Sequence, residues 1–358
     1  MTFRNSTGRA AVRRTAAAAT AVGLALTLAA CGSDDESGSS SSGEGGYGEL
    51  NIQLSWVKNA EFLGEYMADT NGYFEDAGFD AVTLVAGPST GVAELVQGEA
   101  DVALSDAVSV GTAVANEDAP VKIIGTTYQK NPFTILSLTE GGNIATPQDM
   151  VGKRIGVQDS NTSLFQALLA ANDISPDEVT VVPVQYDPSV LVNGEVDGFV
   201  AYLTNESITV EAEGNAVTNL PFADNGLPFV AETFTVTDQM IAEDRDMLKD
   251  FLEAEIRGWT DVIADPEAAV DVCIAEYGAD LGLNRENEVV SAEIANTDLI
   301  MSADTEENGL FTISDELQSE TVESLSGAGV DVEVDDLFDL SLLAEIYEEN
   351  PDLVDYTA

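Results

Sequence analysis

Short apolar runs alternate along the chain with stretches whose apolar residues recur at helical spacing. Leu50 to Trp56 reads as a strand, and Phe62 to Asp76 as a helix entered near Asn59. Ala81 to Ala86 is a second strand, followed by a helix starting at Pro88-Ser89. Asp101 to Leu104 is a strand, Ala107 to Asn116 a helix, and Val121 to Thr127 another strand. The pattern then restarts. Arg154 to Val157 is a strand, Thr162 to Asn172 a helix, and Val179 to Val184 and Val196 to Ala201 are strands, the last leading into a helix near Asn205. This alternation predicts an α/β fold with largely parallel sheet and helices on both faces. From about Asp238 helices dominate: Met247 to Ile263, Ala268 to Tyr277, and an amphipathic Asp335 to Tyr347 that packs back on the first half. Trp259 lies on the apolar stripe of the first of these, a position that suits the core better than a ligand platform.

The restart carries an internal echo. Pro88-Ser89 leads to Val96-Gln97-Gly98-Glu99-Ala100-Asp101, and Pro188-Ser189 leads to Val192-Asn193-Gly194-Glu195-Val196-Asp197. In each copy Pro-Ser suits a helix start and Gly the position after a helix end. Two similar lobes follow from that reading.

The first thirty residues have a different character. Arg4, Arg9, Arg13 and Arg14 form a basic stretch without an acid, and Ala16 to Ala30 is an apolar run too short to span a membrane stably. Leu28-Ala29-Ala30-Cys31 resembles a bacterial lipobox. Residues 1–30 are therefore expected to be a signal peptide cleaved before Cys31, with lipid on the Cys31 thiol; the bland alternative is an ordinary signal peptide followed by a chance cysteine. Residues 31–48, almost all Ser, Gly, Asp and Glu, are expected to be a tether with a typical reach of roughly 20–25 Å. About 310 residues remain, with no further long apolar run.

Charge and composition exclude several functions. The chain has no histidine, so Ser-His-Asp and Cys-His catalysis and histidine-based metal sites are closed to it. The second cysteine, Cys273, reads as a buried thiol in a helix. Without the four leader arginines, 9 basic residues face 65 acidic ones, a net charge near −56. Such a field repels nucleic acid and slows the encounter with anions. It suits a saline or alkaline exterior; a calcium-dependent protein is the competing reading, with no D-x-[DN]-x-[DN]-G loop to support it. No cofactor and no metal are expected.

The segment Ser55-Trp56-Val57-Lys58-Asn59-Ala60-Glu61-Phe62-Leu63-Gly64-Glu65-Tyr66-Met67-Ala68, with Gly72-Tyr73-Phe74 and Gly78 after it, resembles the opening of the thiamine-pyrimidine-precursor binding family. That family stands with the nitrate, sulfonate and taurine solute-binding proteins of ABC importers. Further matches are Val96-x-Gly98-Glu99-Ala100-Asp101, Thr146-Pro147-x-Asp149-Met150-x-Gly152-Lys153-Arg154-Ile155-Gly156-Val157, and Asp197-Gly198-Phe199-Val200-Ala201-Tyr202-Leu203-Thr204-Asn205-Glu206. The resemblance implies a two-lobed type II periplasmic-binding-protein fold with a central cleft and two hinge crossings, placed near Phe133–Thr139 and Leu227–Thr235. Lobe 1 is then residues 49–135 and 230–358, and lobe 2 residues 136–229. It also implies a monomer on the extracytoplasmic face that delivers a small molecule to an ABC permease and its ATPase.

Ligands of open α/β sheets bind at the carboxyl ends of the strands. After the first strand come Trp56 and Asn59, with Phe62 and Tyr66 on one helical face; Trp56 either stacks on a flat ring or packs in the core, and Asn59 either caps the helix or meets ligand. Ser105 and Asp106 start a helix whose N–H groups suit a ligand oxygen. Tyr128 and Asn131 precede the first crossing. In the second lobe Asn161 and Thr162 follow a strand, with Asp159 where sulfonate and nitrate binders tend to have a Gly-Ser-rich turn. Tyr202, Asn205 and Glu206 close the set. The resemblance points the Asn-Glu pair at the ligand, and a carboxylate there suits an amino group or ring N–H; otherwise Glu206 simply serves the helix dipole.

The leading expectation is a receptor for a heteroaromatic nutrient, such as a thiamine pyrimidine precursor or a flavin, bound without chemical change. A receptor for an alkanesulfonate, nitrate or similar anion is the nearest alternative, and a surface sensor or scaffold without transport a more distant one. Iron-dependent eukaryotic relatives consume an active-site histidine, which this chain lacks. If Cys31 bears lipid, Cys31→Ala should move the protein from the membrane pellet to the soluble fraction on cell fractionation; retention in the pellet would contradict the anchor.

Overall fold

A computed structural model describes residues 46–357; the expected signal peptide, Cys31 and most of the expected tether lie outside the described residues. Ten strands form two sheets. They are β1 Gly48–Gln53, β2 Phe79–Val85, β3 Val102–Asp106, β4 Val121–Tyr128, β5 Phe133–Leu138, β6 Arg154–Val157, β7 Thr180–Pro183, β8 Gly198–Tyr202, β9 Val217–Pro221 and β10 Ala231–Thr237. The first sheet has the order β2-β1-β3-β10-β4 and the second β7-β6-β8-β5-β9. In each, three adjacent strands pair in parallel, the fourth (β10 or β5) runs antiparallel to both neighbours, and the fifth (β4 or β9) again runs with the first three. The sheets are therefore mixed, where strand–helix alternation alone predicts largely parallel ones.

The sequence echo has a structural cause. Gly98 and Gly194 both take left-handed backbone, at φ 71° and 72°, which a residue with a Cβ adopts only at a cost. Asp101 then accepts from the Asn51 N–H of β1 at 2.8 Å, and Asp197 from the Arg154 N–H of β6 at 2.9 Å. In return the Asp101 and Asp197 N–H groups donate to the carbonyls of the same two residues. Each copy thus pins the entry of its third parallel strand to its central one.

The helices that frame the strands are α1 Leu63–Thr70, α2 Tyr73–Asp76, α3 Val92–Gln97, α4 Ala107–Glu117, α5 Thr162–Ala171, α6 Ser189–Val192, α7 Glu206–Ala212, α8 Asp238–Glu243, α9 Arg245–Ala264, α10 Pro266–Val272 and α11 Arg285–Ile294. The expected Phe62–Asp76 helix is two, because the chain turns through left-handed Gly72. The helix expected at Pro88-Ser89 begins only at Val92, after left-handed Gly91. The expected Asp335–Tyr347 helix is likewise two, Val334–Leu337 and Ser341–Glu349, because Phe338 takes extended backbone and bridges to Ile123 of β4. Both pieces pack on the first sheet, as a C-terminal return requires.

Trp259 is core: it is fully buried on α9, against α1. The two helices meet through glycines. A Cβ on Gly64 would stand 2.0 Å from the Trp259 indole nitrogen, and one on Gly258 2.3 Å from the Gly64 carbonyl. Cys273 is buried in a π-helical turn after α10.

The chain leaves the first sheet after Tyr128 and enters the second at Phe133; it returns between Pro221 and Ala231. The crossings expected at Phe133–Thr139 and Leu227–Thr235 fall largely within strands β5 and β10, so the passages themselves are 129–132 and 222–230. Asn131 ties the two passages together, donating from its amide to the Leu227 carbonyl at 2.8 Å.

Overpacking a closed contact costs about 1–3 kcal/mol. Gly64→Ala should therefore lower the melting temperature clearly and reduce the urea midpoint; an unchanged midpoint would mean that α1 and α9 do not pack this closely.

Candidate functional site

A cavity of about 410 Å³ lies where the parallel strands of both sheets end. Its lining comes from the carboxyl ends of β1 (Ser55, Trp56, Glu61), β2 (Pro88, Ser89, Thr90) and β3 (Ser105, Asp106). The second sheet contributes the ends of β6 (Gln158, Ser160, Asn161), β7 (Tyr186) and β8 (Tyr202, Asn205, Glu206), with Phe133 from the start of β5. This is where α/β sheets present loops and helix starts to ligands.

The loops after β1 and β2 are laced together. Gly87 N–H donates to the Trp56 carbonyl at 2.7 Å and Ser89 N–H to the Ser55 carbonyl at 3.1 Å. Gly87 is required for that approach, since a Cβ would stand 2.3 Å from the Ser55 carbonyl oxygen. The lacing presents Trp56 to the cavity, where its ring faces Tyr186 of the other sheet with centroids 4.8 Å apart. Tyr186 is steadied by Ser160, hydroxyl to hydroxyl at 3.0 Å. Phe133 and Tyr202 form an edge-to-face pair at 4.7 Å.

Seven of the residues singled out from sequence line this cavity: Trp56, Ser105, Asp106, Asn161, Tyr202, Asn205 and Glu206. Six stand elsewhere. Phe62, Tyr66 and Tyr128 are fully buried in the core of the first sheet, with Tyr66 stacked on Tyr277 at 4.3 Å. The face of α1 that bears Tyr66 turns toward α9 and α10, away from the cavity. Asn59 caps the turn Ala60–Phe62, accepting from Glu61 N–H at 3.1 Å. Asn131 serves the crossings, and Thr162 turns its hydroxyl to the Gln158 carbonyl.

The α4 N-terminus is not an open oxyanion site. The Asp106 carboxylate itself accepts from Val108 N–H at 2.8 Å, Ser109 N–H at 2.9 Å and the Ser109 hydroxyl at 2.7 Å. At the start of α5, Gln158 donates to the Val200 carbonyl at 2.9 Å and accepts from the Asn161 amide at 3.0 Å. Among the described residues, no Lys or Arg lines the cavity.

Glu61 and Tyr186 are the main residues that pattern reading passed over. Tyr186 obeys the strand-end rule, after β7, and could have been found by it. Glu61 carried no distinguishing signal among 65 acidic residues. It is buried, and burial together with the charges of Glu206 and Glu288 pushes its carboxyl up to about 8 against the Asn59 hydrogen bond. Glu232 sits beneath it at a bulge in β10, in left-handed backbone (φ 48°), and accepts from the Ser55 hydroxyl at 2.9 Å. Burial first, then the Glu61 charge, raises Glu232 as well. Glu65 on α1 is pushed up to about 8, chiefly by burial.

The fold with its interlobe cavity is that of the periplasmic binding proteins. It superposes on the aliphatic sulphonate binding protein SsuA of Escherichia coli with a TM-score of 0.63, at 13% identity, over 83% of this chain and 99% of that one. Residues 59–269 match the family model described as NMT1/THI5 like, and the chain belongs to that family. Among curated relatives it is similar to the riboflavin-binding protein RibY of Chloroflexus aurantiacus, 25% identical over 305 residues, covering 79% of this chain and 81% of that protein. It is also similar to the formylaminopyrimidine-binding protein of Halalkalibacterium halodurans, 23% identical over 252 residues, covering 68% and 76%.

The raised carboxyls predict an unusual pH dependence. A carboxyl whose pKa is higher folded than unfolded favours folding below its unfolded value, and that contribution is lost as pH rises through the folded value. For Glu61 and Glu65 the loss runs from about 4.5 to about 8. With no histidine to titrate in the same window, the melting temperature should fall between about pH 4.5 and about pH 8. Glu61→Gln and Glu65→Gln should each flatten that slope in calorimetry; a parallel slope in both variants would contradict the assignment.

Proposed function

We propose that this protein is the solute-binding component of an ABC importer, and that its cavity captures a small heteroaromatic nutrient of the thiamine-pyrimidine or flavin kind. The observation that carries this reading is the cavity wall: Trp56 and Tyr186 on opposite sheets, with Phe133 and Tyr202 behind, and carboxyl groups with no basic residue among the described residues of the lining. A flat ring stacking on Trp56 gains about 0.5–1.5 kcal/mol beyond burial, while Glu206 and Glu61 accept from its N–H edge. Both curated relatives bind ring compounds by name, which supports the same class here.

The anion alternative is disfavoured by the same wall. Asp106 occupies the α4 N–H groups that an oxyanion would use, and every charged group in the lining is an acid. The two lobes, one built on each sheet, close by rotation about passages 129–132 and 222–230 rather than at the 135/136 and 229/230 bounds expected from sequence, and the ligand leaves unchanged to a permease. Lipid on Cys31 holds the receptor, as a monomer, on the extracytoplasmic face. The binding roles that both curated relatives' names give support a binding protein over an enzyme.

A thermal-shift panel of hydroxymethylpyrimidine, formylaminopyrimidine, riboflavin, taurine and nitrate tests the ligand class. One or more of the ring compounds should stabilise the protein, and Trp56→Ala should weaken that binding roughly tenfold or more. Stabilisation by taurine or nitrate alone would sink the heteroaromatic reading.

A further inference from the structure

Both passages between the sheets lean on the C-terminal part of the chain. At the first, the Gln129 N–H donates to the Leu299 carbonyl at 2.6 Å, and the Gln129 side-chain amide to the Thr312 carbonyl at 3.0 Å. Leu299 belongs to the π-helical turn Ala295–Ile300, an irregularity that proteins tend to keep where function uses it. At the second passage, the Ser324 hydroxyl donates to the Pro228 carbonyl at 2.8 Å from the helix Asp315–Gly327. Gln129 is 5% exposed and Ser324 7%, so both bonds lie out of water, where an unmade partner is costly.

The same helix reaches beyond the passages. It packs on α4 of the first half so closely that a Cβ on Gly111 would stand 2.3 Å from Leu325 Cδ2, and it also touches α5 of the second half. Ala328 at its end and Val108 in the first turn of α4 pack against the second half's core, which contains Phe133, Leu164, Phe222 and Phe229. Rotation about 129–132 and 222–230 moves the passages against these supports. Opening must therefore strain the Gln129 and Ser324 bonds and draw Ala328 and Val108 off the second core. A net hydrogen bond of this kind shifts an equilibrium several-fold, and lost apolar contact adds to it.

We infer that residues 299–328 form a hinge brace, in which Gln129 and Ser324 are positioning residues that hold the resting receptor near closure. The inference rests on the two-lobed, closing receptor proposed above and adds what sets its resting angle. The larger the closed fraction before binding, the smaller the reduction in apparent affinity for the ligand. Affinity is then tuned by residues that line no part of the cavity.

Tryptophan fluorescence tests the brace without any ligand. The chain has two tryptophans: Trp259 is 1% exposed, and Trp56 lies in the cleft against Tyr186. Acrylamide quenching of the purified protein therefore reads cleft opening through Trp56. Gln129→Met removes the side-chain donor at similar size, and Ser324→Ala removes the hydroxyl. The double variant should raise the quenching constant about twofold or more, and enlarge the radius of gyration in small-angle scattering. Each single variant should move both readouts the same way by less. Gly198→Ala, which crowds Ile135, Ile144 and Ile155 inside the second sheet, should lower the melting temperature and move neither. An unchanged quenching constant and radius in the single and double variants would overturn the brace, as would an equal rise in Gly198→Ala. Failure of the receptor reading would show separately, as a solute panel in which nothing stabilises the protein.

Discussion

The cavity depends on a constraint of threading: each sheet holds an antiparallel strand at its fourth position, and those strands flank the chain's two passages between sheets. β5 enters the second sheet directly after the first passage, and β10 is inserted between β3 and β4 only after the whole second sheet has been made. The first sheet is therefore incomplete without the return of the chain. Asn131, bonded to the Leu227 carbonyl, fastens the two passages beside each other. With the connections fixed on one side, the carboxyl ends of the six parallel strands converge on the cavity. Loops and helix starts from both halves consequently share one wall.

The chemistry of that wall follows from what it buries. An acidic surface is cheap in water, where charges are solvated and screened. Glu61, Glu65, Glu232 and Glu255 are different, because they are buried among apolar and phenolic groups and burial raises each of them. Glu65 and Glu255 lie on the packed helices α1 and α9, behind the cavity, whereas Glu61 reaches it. The same physical effect is thus a stability liability in the core and a recognition device at the cleft.

Much of the fold was legible in the sequence. The Gly-Glu-x-Asp echo marked two equivalent strand entries, and the strand-end rule placed Trp56, Ser105, Asp106, Asn161, Tyr202, Asn205 and Glu206 on the lining. What could not be read was direction. Phe62 and Tyr66 are four residues apart on one helical face, but periodicity does not say which neighbour the face meets; Gly64 and Gly258 let α9 close on that side. Tyr128 ends β4 yet points into the core, because alternation along a strand assigns a side only once the sheet order is known. The passages were misplaced for a related reason: an apolar run such as Phe133–Leu138 looks the same whether it crosses between sheets or pairs within one.

The central claim is that the cavity holds a small, nitrogen-bearing ring compound by contacts alone. Native mass spectrometry of the protein purified from its own cells, without refolding, tests it most directly. The account predicts one retained molecule per chain, released intact on denaturation and carrying a nitrogen-bearing heteroaromatic ring. A retained sulfonate or nitrate, or an adduct that denaturation does not release, would contradict it.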